Sequence, residues 1–317
     1  MKKFLIFLGA LLLVLVAGIY IFIPPTIHIT SATVLQTTDN GAERFIMDET
    51  KWPLWWNYLA QHNTADAKQP PALFIAGRDE YRLTDKFYKA VAIRIKHNNL
   101  VQLESKMSLI PLALDSTGVE WKCSIETGFS LYKKIDGYFN AKRIKENMDT
   151  VLANLKSFLS KNENVYGIPI EKNHLKDTLY VTAKTLISSY PSTTVIYELI
   201  KKIQAYASQN GAHQTGSPIF NVTDMGNHLQ LMAGIPVDKN IAEKNGFALK
   251  HMVRGFFMIT EVVGGNNAVN KASENLHQFF SDYHKTSMAM NFTMLVTDRM
   301  YQPDSSKWIT KIYLPVY

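Results

Sequence analysis

The sequence predicts an α+β protein in three parts: an N-terminal transmembrane helix, a sheet closed by one long helix, and a duplicated strand–helix–strand–strand domain. Three observations carry this. Phe4 to Ile23 (FLIFLGALLLVLVAGIYIFI) holds no charge over about twenty residues. Apolar residues from Ile144 to Leu159 recur at helical spacing directly after a run of strand-like segments. Three short matches then recur in one order within residues 165–317. At 317 residues the chain is long enough for two domains of roughly 100–200 residues each, and the reading divides it into 1–25, 26–161 and 165–317.

The apolar segment, at about 1.5 Å per residue, is long enough to cross a hydrocarbon core about 30 Å thick. Lys2 and Lys3 precede it, and the positive-inside rule keeps that end cytoplasmic. Pro24 and Pro25 stop the helix. A cleaved signal peptide is the competing reading. Cleavable apolar regions run about 7–15 residues to a small-x-small site, and IFIPPTIHIT offers no A-x-A pattern. The expectation is an uncleaved anchor that contacts the lipid bilayer through residues 4–23, single-pass in the cytoplasmic membrane, with the bulk of the chain periplasmic.

Composition narrows the classes. A hydrophobic content of 46 % with 19 % charge excludes a disordered chain. The single cysteine, Cys123, excludes a disulfide scaffold, a thiol pair and a multi-cysteine zinc site. The net charge of +7, or +5 without Lys2 and Lys3, is spread along the chain, so no nucleic-acid partner is expected.

In the first domain Ile27 to Asp39 reads as a strand, followed by a helix carrying Phe45, Met47, Trp52, Trp55, Trp56 and Leu59. Past a polar stretch (His62 to Pro71), Phe87 to Ile95 and Leu100 to Ile110 read as strands around a His97-Asn98-Asn99 turn. Val119, Trp121, Cys123 and Ile125 alternate with Glu120, Lys122, Ser124 and Glu126, a half-buried strand, and Phe129 to Ile135 reads as continuing the sheet. Ile144, Met148, Val151, Leu152, Leu155, Phe158 and Leu159 then form one face of a helix. This order, with the tryptophan-rich DETKWPLWWNYL, resembles the START-like (polyketide-cyclase and ligand-transport, SRPBCC) helix-grip superfamily over about residues 27–161. The resemblance implies an apolar cavity between sheet and long helix. Trp55 and Trp56 are candidates to line it, although aromatic residues on a helix are more often plain core.

The second domain carries an internal repeat. Leu199, Ile203 and Tyr206 on one helix recur as Leu276, Phe280 and Tyr283. Val222-Thr223-Asp224 recurs as Val296-Thr297-Asp298, and Gly234-Ile235-Pro236-Val237 is echoed by Tyr313-Leu314-Pro315-Val316. The offset changes only in polar stretches, where loops accept insertions. From Tyr166-Gly167-Ile168-Pro169 onward the chain resembles the GyrI-like domain, the effector-binding module of AraC-type regulators. The matching segments are the glycine-containing strand Arg254–Ile259, the strand Phe292–Asp298 and the closing Thr310–Val316. The resemblance implies two copies about a pseudo-twofold axis and a ligand cleft near it. Family members that take lipophilic cations hold them with a carboxylate, but the family's acidic positions fall here on Thr293 and Lys311. Glu261 is the candidate replacement, against the commoner reading of a surface glutamate at a strand end. The candidate pocket residues are therefore Tyr197, Glu261, Thr293, Lys311 and Tyr313, with Trp55 and Trp56 in the first domain.

Motifs for chemistry are missing: no phosphate-binding glycine loop, no HExxH and no G-x-S-x-G elbow. His277 and His284 could share a helix face, but two ligands without a third make a weak metal site. No catalytic residue, metal or cofactor is assigned. The expectation is a membrane-anchored, non-catalytic protein that binds a small hydrophobic, non-cationic ligand. The alternatives are a hydrolase- or cyclase-like enzyme on a lipophilic substrate, and a structural partner-binding protein whose pockets are filled by side chains.

Overall fold

The computed structural model describes residues 2–56, 74–76, 79–97, 101–176, 178–252, 255–287 and 289–316. The expectations for Leu59, His62 to Pro71, Asn98 to Leu100 and Arg254 fall outside them. The fold is mixed α+β, with an N-terminal apolar helix and two antiparallel sheets in two compact units, Met1–Lys161 and Asn162–Tyr317.

Unit one opens with α1 (Lys2–Phe22), none of whose residues is buried. Strand β1 (Thr26–Leu35) pairs antiparallel along its whole length with β6 (Ser116–Glu126). The sheet runs β1-β6-β5-β4-β3-β2, with β2 at Phe74–Ala76, β3 at Asp79–Phe87, β4 at Ala90–His97 and β5 at Val101–Ala113. Helix α3 (Leu131–Leu159) buries Ile144, Met148, Val151, Leu152, Leu155 and Leu159 against the face where β6 presents Val119, Trp121, Cys123 and Ile125. Both apolar patterns read from the sequence are thus the two sides of one core.

Three local expectations are corrected. The single tryptophan-bearing helix is two pieces: α2 (Asp39–Ile46), capped by Thr38, and a 3-10 turn at Glu49–Leu54. Asp48 starts the second piece by accepting from Thr50 N at 3.1 Å, and Pro53 cannot donate within it. Phe87 to Ile95 is not one strand. The chain turns at Tyr88-Lys89, where Lys89 has φ +50°, between β3 and β4. Phe129 to Ile135 leaves the sheet and begins α3, because Gly128 at φ +61° turns the chain after β6.

Unit two follows the duplication. After the short helix α4 (Asn162–Tyr166) and strand β7 (Glu171–His174), the first copy is β8 (Leu179–Ile187), α5 (Thr193–Gln209), β9 (Ile219–Asp224) and β10 (Leu229–Pro236). Strand β11 (Phe247–His251) precedes the second copy: β12 (Phe256–Val263), α6 (Asn266–Asp282), β13 (Phe292–Leu295) and β14 (Ile309–Val316). The eight strands run β11-β8-β10-β9-β13-β14-β12-β7, so β9 and β13 meet at the pseudo-twofold axis. The outer strands are exchanged. β7 precedes copy one but pairs with β12 of copy two, while β11 precedes copy two but pairs with β8 of copy one.

That exchange curls the sheet. Strands β11 and β12 are six positions apart, about 29 Å if the sheet were flat. The chain from His251 to Phe256 spans at most about 18 Å. The same arithmetic holds from His174 to Leu179. The sheet must bend until its edges approach, and the inside of the bend is apolar: Tyr180 of β8 shares one cluster with Ile219, Phe292, Tyr313 and Phe257 of β12. Gly234 helps the bend, since a Cβ there would meet Thr182 Cγ2 at 2.9 Å. Helix α5 packs on the other, convex face over Val181, Ala183, Phe220, Leu231 and Leu295, and α6 packs on β12 and β14.

Candidate functional site

The concave face ends in an apolar cavity of about 360 Å³. Its walls include Met252, Phe257, Phe292, Pro315 and Val316, with Lys250 and His251 at the β11 side. Alternation places these residues. Phe257 lies opposite Pro315, and Phe292 opposite Tyr313, and residues directly opposite in an antiparallel pair share a face. Phe292 and Tyr313 stack with centroids 4.7 Å apart, and Phe257 meets both rings edge-on at 5.7 and 5.9 Å. Among the described residues that line the cavity there is no Asp or Glu. Its lysine is Lys250, whose ammonium lies 3.5 Å from Met232 Sδ. Burial, and then the neighbouring Lys184 charge, hold the Lys250 pKa below the ordinary lysine value.

The candidates read from the sequence are divided between the two faces of the sheet. Tyr313 is on the concave face, in the aromatic cluster. Glu261 and Lys311 share that face, opposite one another on β12 and β14, and form an ion pair at 3.2 Å. The pair is half exposed, four residues along β12 from Phe257, or about 13 Å from the cavity wall. Thr293 is opposite Phe220, which packs under α5, so it faces the convex side. Thr293 and Lys311 therefore do not meet in one cleft: adjacent positions on β13 point to opposite faces, and Lys311 lies opposite Met294. Tyr197 is also on the convex side. It lines an open groove of about 790 Å³ with Lys201, Gln204, Pro218, Leu295 and Asp298. Its hydroxyl accepts from Arg299 N at 2.9 Å, which ties α5 to the loop after β13.

Arg299 itself is 7 % exposed. Its guanidinium donates to Asn266 Oδ1 at 3.2 Å and Thr310 Oγ1 at 2.9 Å, and it stacks 4.5 Å over Trp308. It binds α6, β14 and the loop together, and burial lowers its pKa. Sequence reasoning missed it and Lys250. Arg299 directly follows the repeated Val-Thr-Asp triplet where copy one has Met225, so comparing the copies marks it. Lys250 lies outside both copies and carried no such mark.

In unit one the tryptophans pack on one another. Trp52 and Trp56 stack at 5.3 Å and 6°, and Trp56 also meets Phe74, Tyr81 and Trp121. Trp52, Trp55 and Trp56 are at most 1 % exposed. Trp56 Nε1 donates to Ile75 O at 3.3 Å, while Trp55 Nε1 has no hydrogen-bond partner among the described residues. Asp79 enters this core, where it accepts from Asn147 Nδ2 at 2.6 Å and lies 3.4 Å from the Tyr81 hydroxyl. Burial, with Asp79 beside it, pushes the Tyr81 pKa well above the ordinary tyrosine value. Among the described residues no three His, Cys, Asp or Glu side chains gather to hold a metal ion.

No protein-family model and no curated protein matches the chain. Solved structures are similar at low identity. The C-terminal domain of EcmrR is 12 % identical with a TM-score of 0.42, over 47 % of this chain and 98 % of that one. The SAV2435 structure bound to tetraphenylphosphonium is 17 % identical with a TM-score of 0.33, over 47 % and 94 %. A START superfamily protein from Mycobacterium smegmatis is 11 % identical with a TM-score of 0.32, over 42 % and 96 %. All three are distant likenesses.

Proposed function

We propose that the protein is a membrane-anchored, non-catalytic binder of a small hydrophobic, non-cationic ligand, held in the concave cavity of unit two. The observation that carries this is the cavity itself. It falls within the size range of small-molecule sites, its walls are aromatic and aliphatic, and no carboxylate among the described lining residues faces a cation. Removing a hydrated cation from water without a counter-charge costs several kcal/mol, which aromatic contacts of about 0.5–2 kcal/mol each do not offset.

Two features support anchoring. Helix α1 carries no charge from Phe4 to its end and is long enough to cross a membrane. Where it ends, Tyr20 OH donates to Phe129 O at 2.7 Å, and Lys134 Nζ hydrogen-bonds Ile23 O, so the start of α3 is tied to the end of the span. There Phe129 (82 %), Tyr132 (76 %), Tyr138 (49 %) and Phe139 (61 %) are exposed. Aromatic residues with exposed polar neighbours at the end of a span suit the headgroup layer. Lys2 and Lys3 assign the other end to the cytoplasm, so the two units are periplasmic in this reading.

Fluorescence titration with a rhodamine-type dye, and mass spectrometry of what co-purifies with the gently extracted chain, test the ligand reading. The expected results are no tight dye binding and a co-purified apolar molecule. Tight dye binding would overturn the charge argument, and turnover of a lipophilic ester panel would replace binding with catalysis. A C-terminal reporter active only outside the cytoplasm is expected, and a cytoplasm-active fusion would refute the orientation.

A further inference from the structure

We propose that the cavity ligand is a medium-chain carboxylic acid, whose carboxylate is held by Lys250. This deepens the reading above and rests on it. Three observations converge on Lys250. It is a partly buried lysine on the wall of an otherwise apolar cavity, where Phe257, Phe292, Pro315 and Met252 would surround a tail. Among the described residues its ammonium donates to Met232 Sδ, a thioether that accepts weakly and carries no charge to balance it. Of the titratable groups beside it on the concave face of β8, Lys184 is basic and Tyr180, directly opposite, is a phenol, while the neighbouring His251 lies on the cavity wall.

A cation placed so gains little from its protein surroundings and much from an arriving anion, because a charge-assisted hydrogen bond strengthens as water leaves. The nearest acidic residue on the concave face of β12, Glu261, is already paired with Lys311 about 13 Å along the strand and does not serve Lys250. The depressed Lys250 pKa agrees with this geometry, since it reflects burial and then the like charge of Lys184. Size sets the tail. At about 30 Å³ for each water-sized group, 360 Å³ holds roughly a dozen heavy atoms, which suits a chain of about ten carbons rather than a full-length membrane lipid.

The test uses the full chain in lipid nanodiscs, with empty nanodiscs as the partition control. Decanoate, decanol and decyltrimethylammonium are titrated by calorimetry. Decanoate is expected to bind about ten- to a hundred-fold more tightly than decanol, and the ammonium amphiphile not at all. Lys250→Met is expected to remove that preference, so that decanoate binds no more tightly than decanol, and residual decanol binding shows that the cavity still forms. Lys250→Arg should retain decanoate, and Lys250→Glu should shift the preference to the cation. Equal binding of decanoate and decanol, unaffected by Lys250→Met, would overturn this inference and leave the apolar pocket standing. Failure of all three amphiphiles to bind would overturn the pocket reading, and this one with it.

Discussion

Replacing Trp56 with alanine separates a packed core from a ligand-lined cavity in unit one. Trp56 is fully buried, stacks on Trp52 at 5.3 Å, and contacts Trp55, Phe74, Tyr81 and Trp121 with centroids 5.1 to 6.1 Å apart. Trp→Ala in a packed core costs about 3–5 kcal/mol, because the transfer energy of the ring is lost and the surrounding rings cannot all close the void. The indole hydrogen bond to Ile75 O, at 3.3 Å, adds little. Against a typical domain stability of about 5–15 kcal/mol this is a large fraction. At roughly 2–4 °C per kcal/mol for a domain of this size, the melting temperature of unit one should fall by about 6–20 °C. Urea and thermal unfolding of the full chain in detergent, followed by near-ultraviolet circular dichroism, measure it. A loss below about 1 kcal/mol, or a variant that becomes stabilised by apolar ligands already bound by the parent, would show that these rings line an adaptable cavity.

Other perturbations follow from the same contacts. Cys123 is buried, and its pKa is pushed up to about 12, so maleimide labelling should be absent in the folded chain and appear only as unit one unfolds. Because the unfolded thiol ionises first, near its ordinary value of 9.0, unit one should lose stability progressively from about pH 9 towards about 12; a flat profile would refute the burial. Arg299→Met removes both guanidinium hydrogen bonds and the stack on Trp308, and should destabilise unit two by about 2–4 kcal/mol in a urea titration. An unchanged midpoint would show that the loop it ties is independent of the core. Residues 162–317 expressed alone should melt cooperatively, and a disordered product would mean that the two halves share one folding unit.

How much was legible follows from which interactions are local. The alternation at Val119, Trp121, Cys123 and Ile125 and the helical stripe from Ile144 to Leu159 were readable because each pattern records its own element's period. Where the reading slipped, a single residue outweighed the period: Asp48 and Pro53 split one helix, Lys89 made a turn inside an expected strand, and Gly128 turned a strand into α3.

The sequence by itself determined the apolar span, the duplication and the absence of familiar catalytic motifs, since all three are properties of residue order. Only the tertiary structure decided which residues meet. A one-residue step along a strand reverses the face a side chain points to, so Thr293 and Lys311, neighbours across β13 and β14, are separated by the sheet. The exchange of β7 and β11 between the copies curls that sheet, and the curl brings Lys250 beside Phe257, Phe292 and Pro315 from the other end of the strand order. No periodicity in the chain records that approach, because it arises from two short connections that must span six strands.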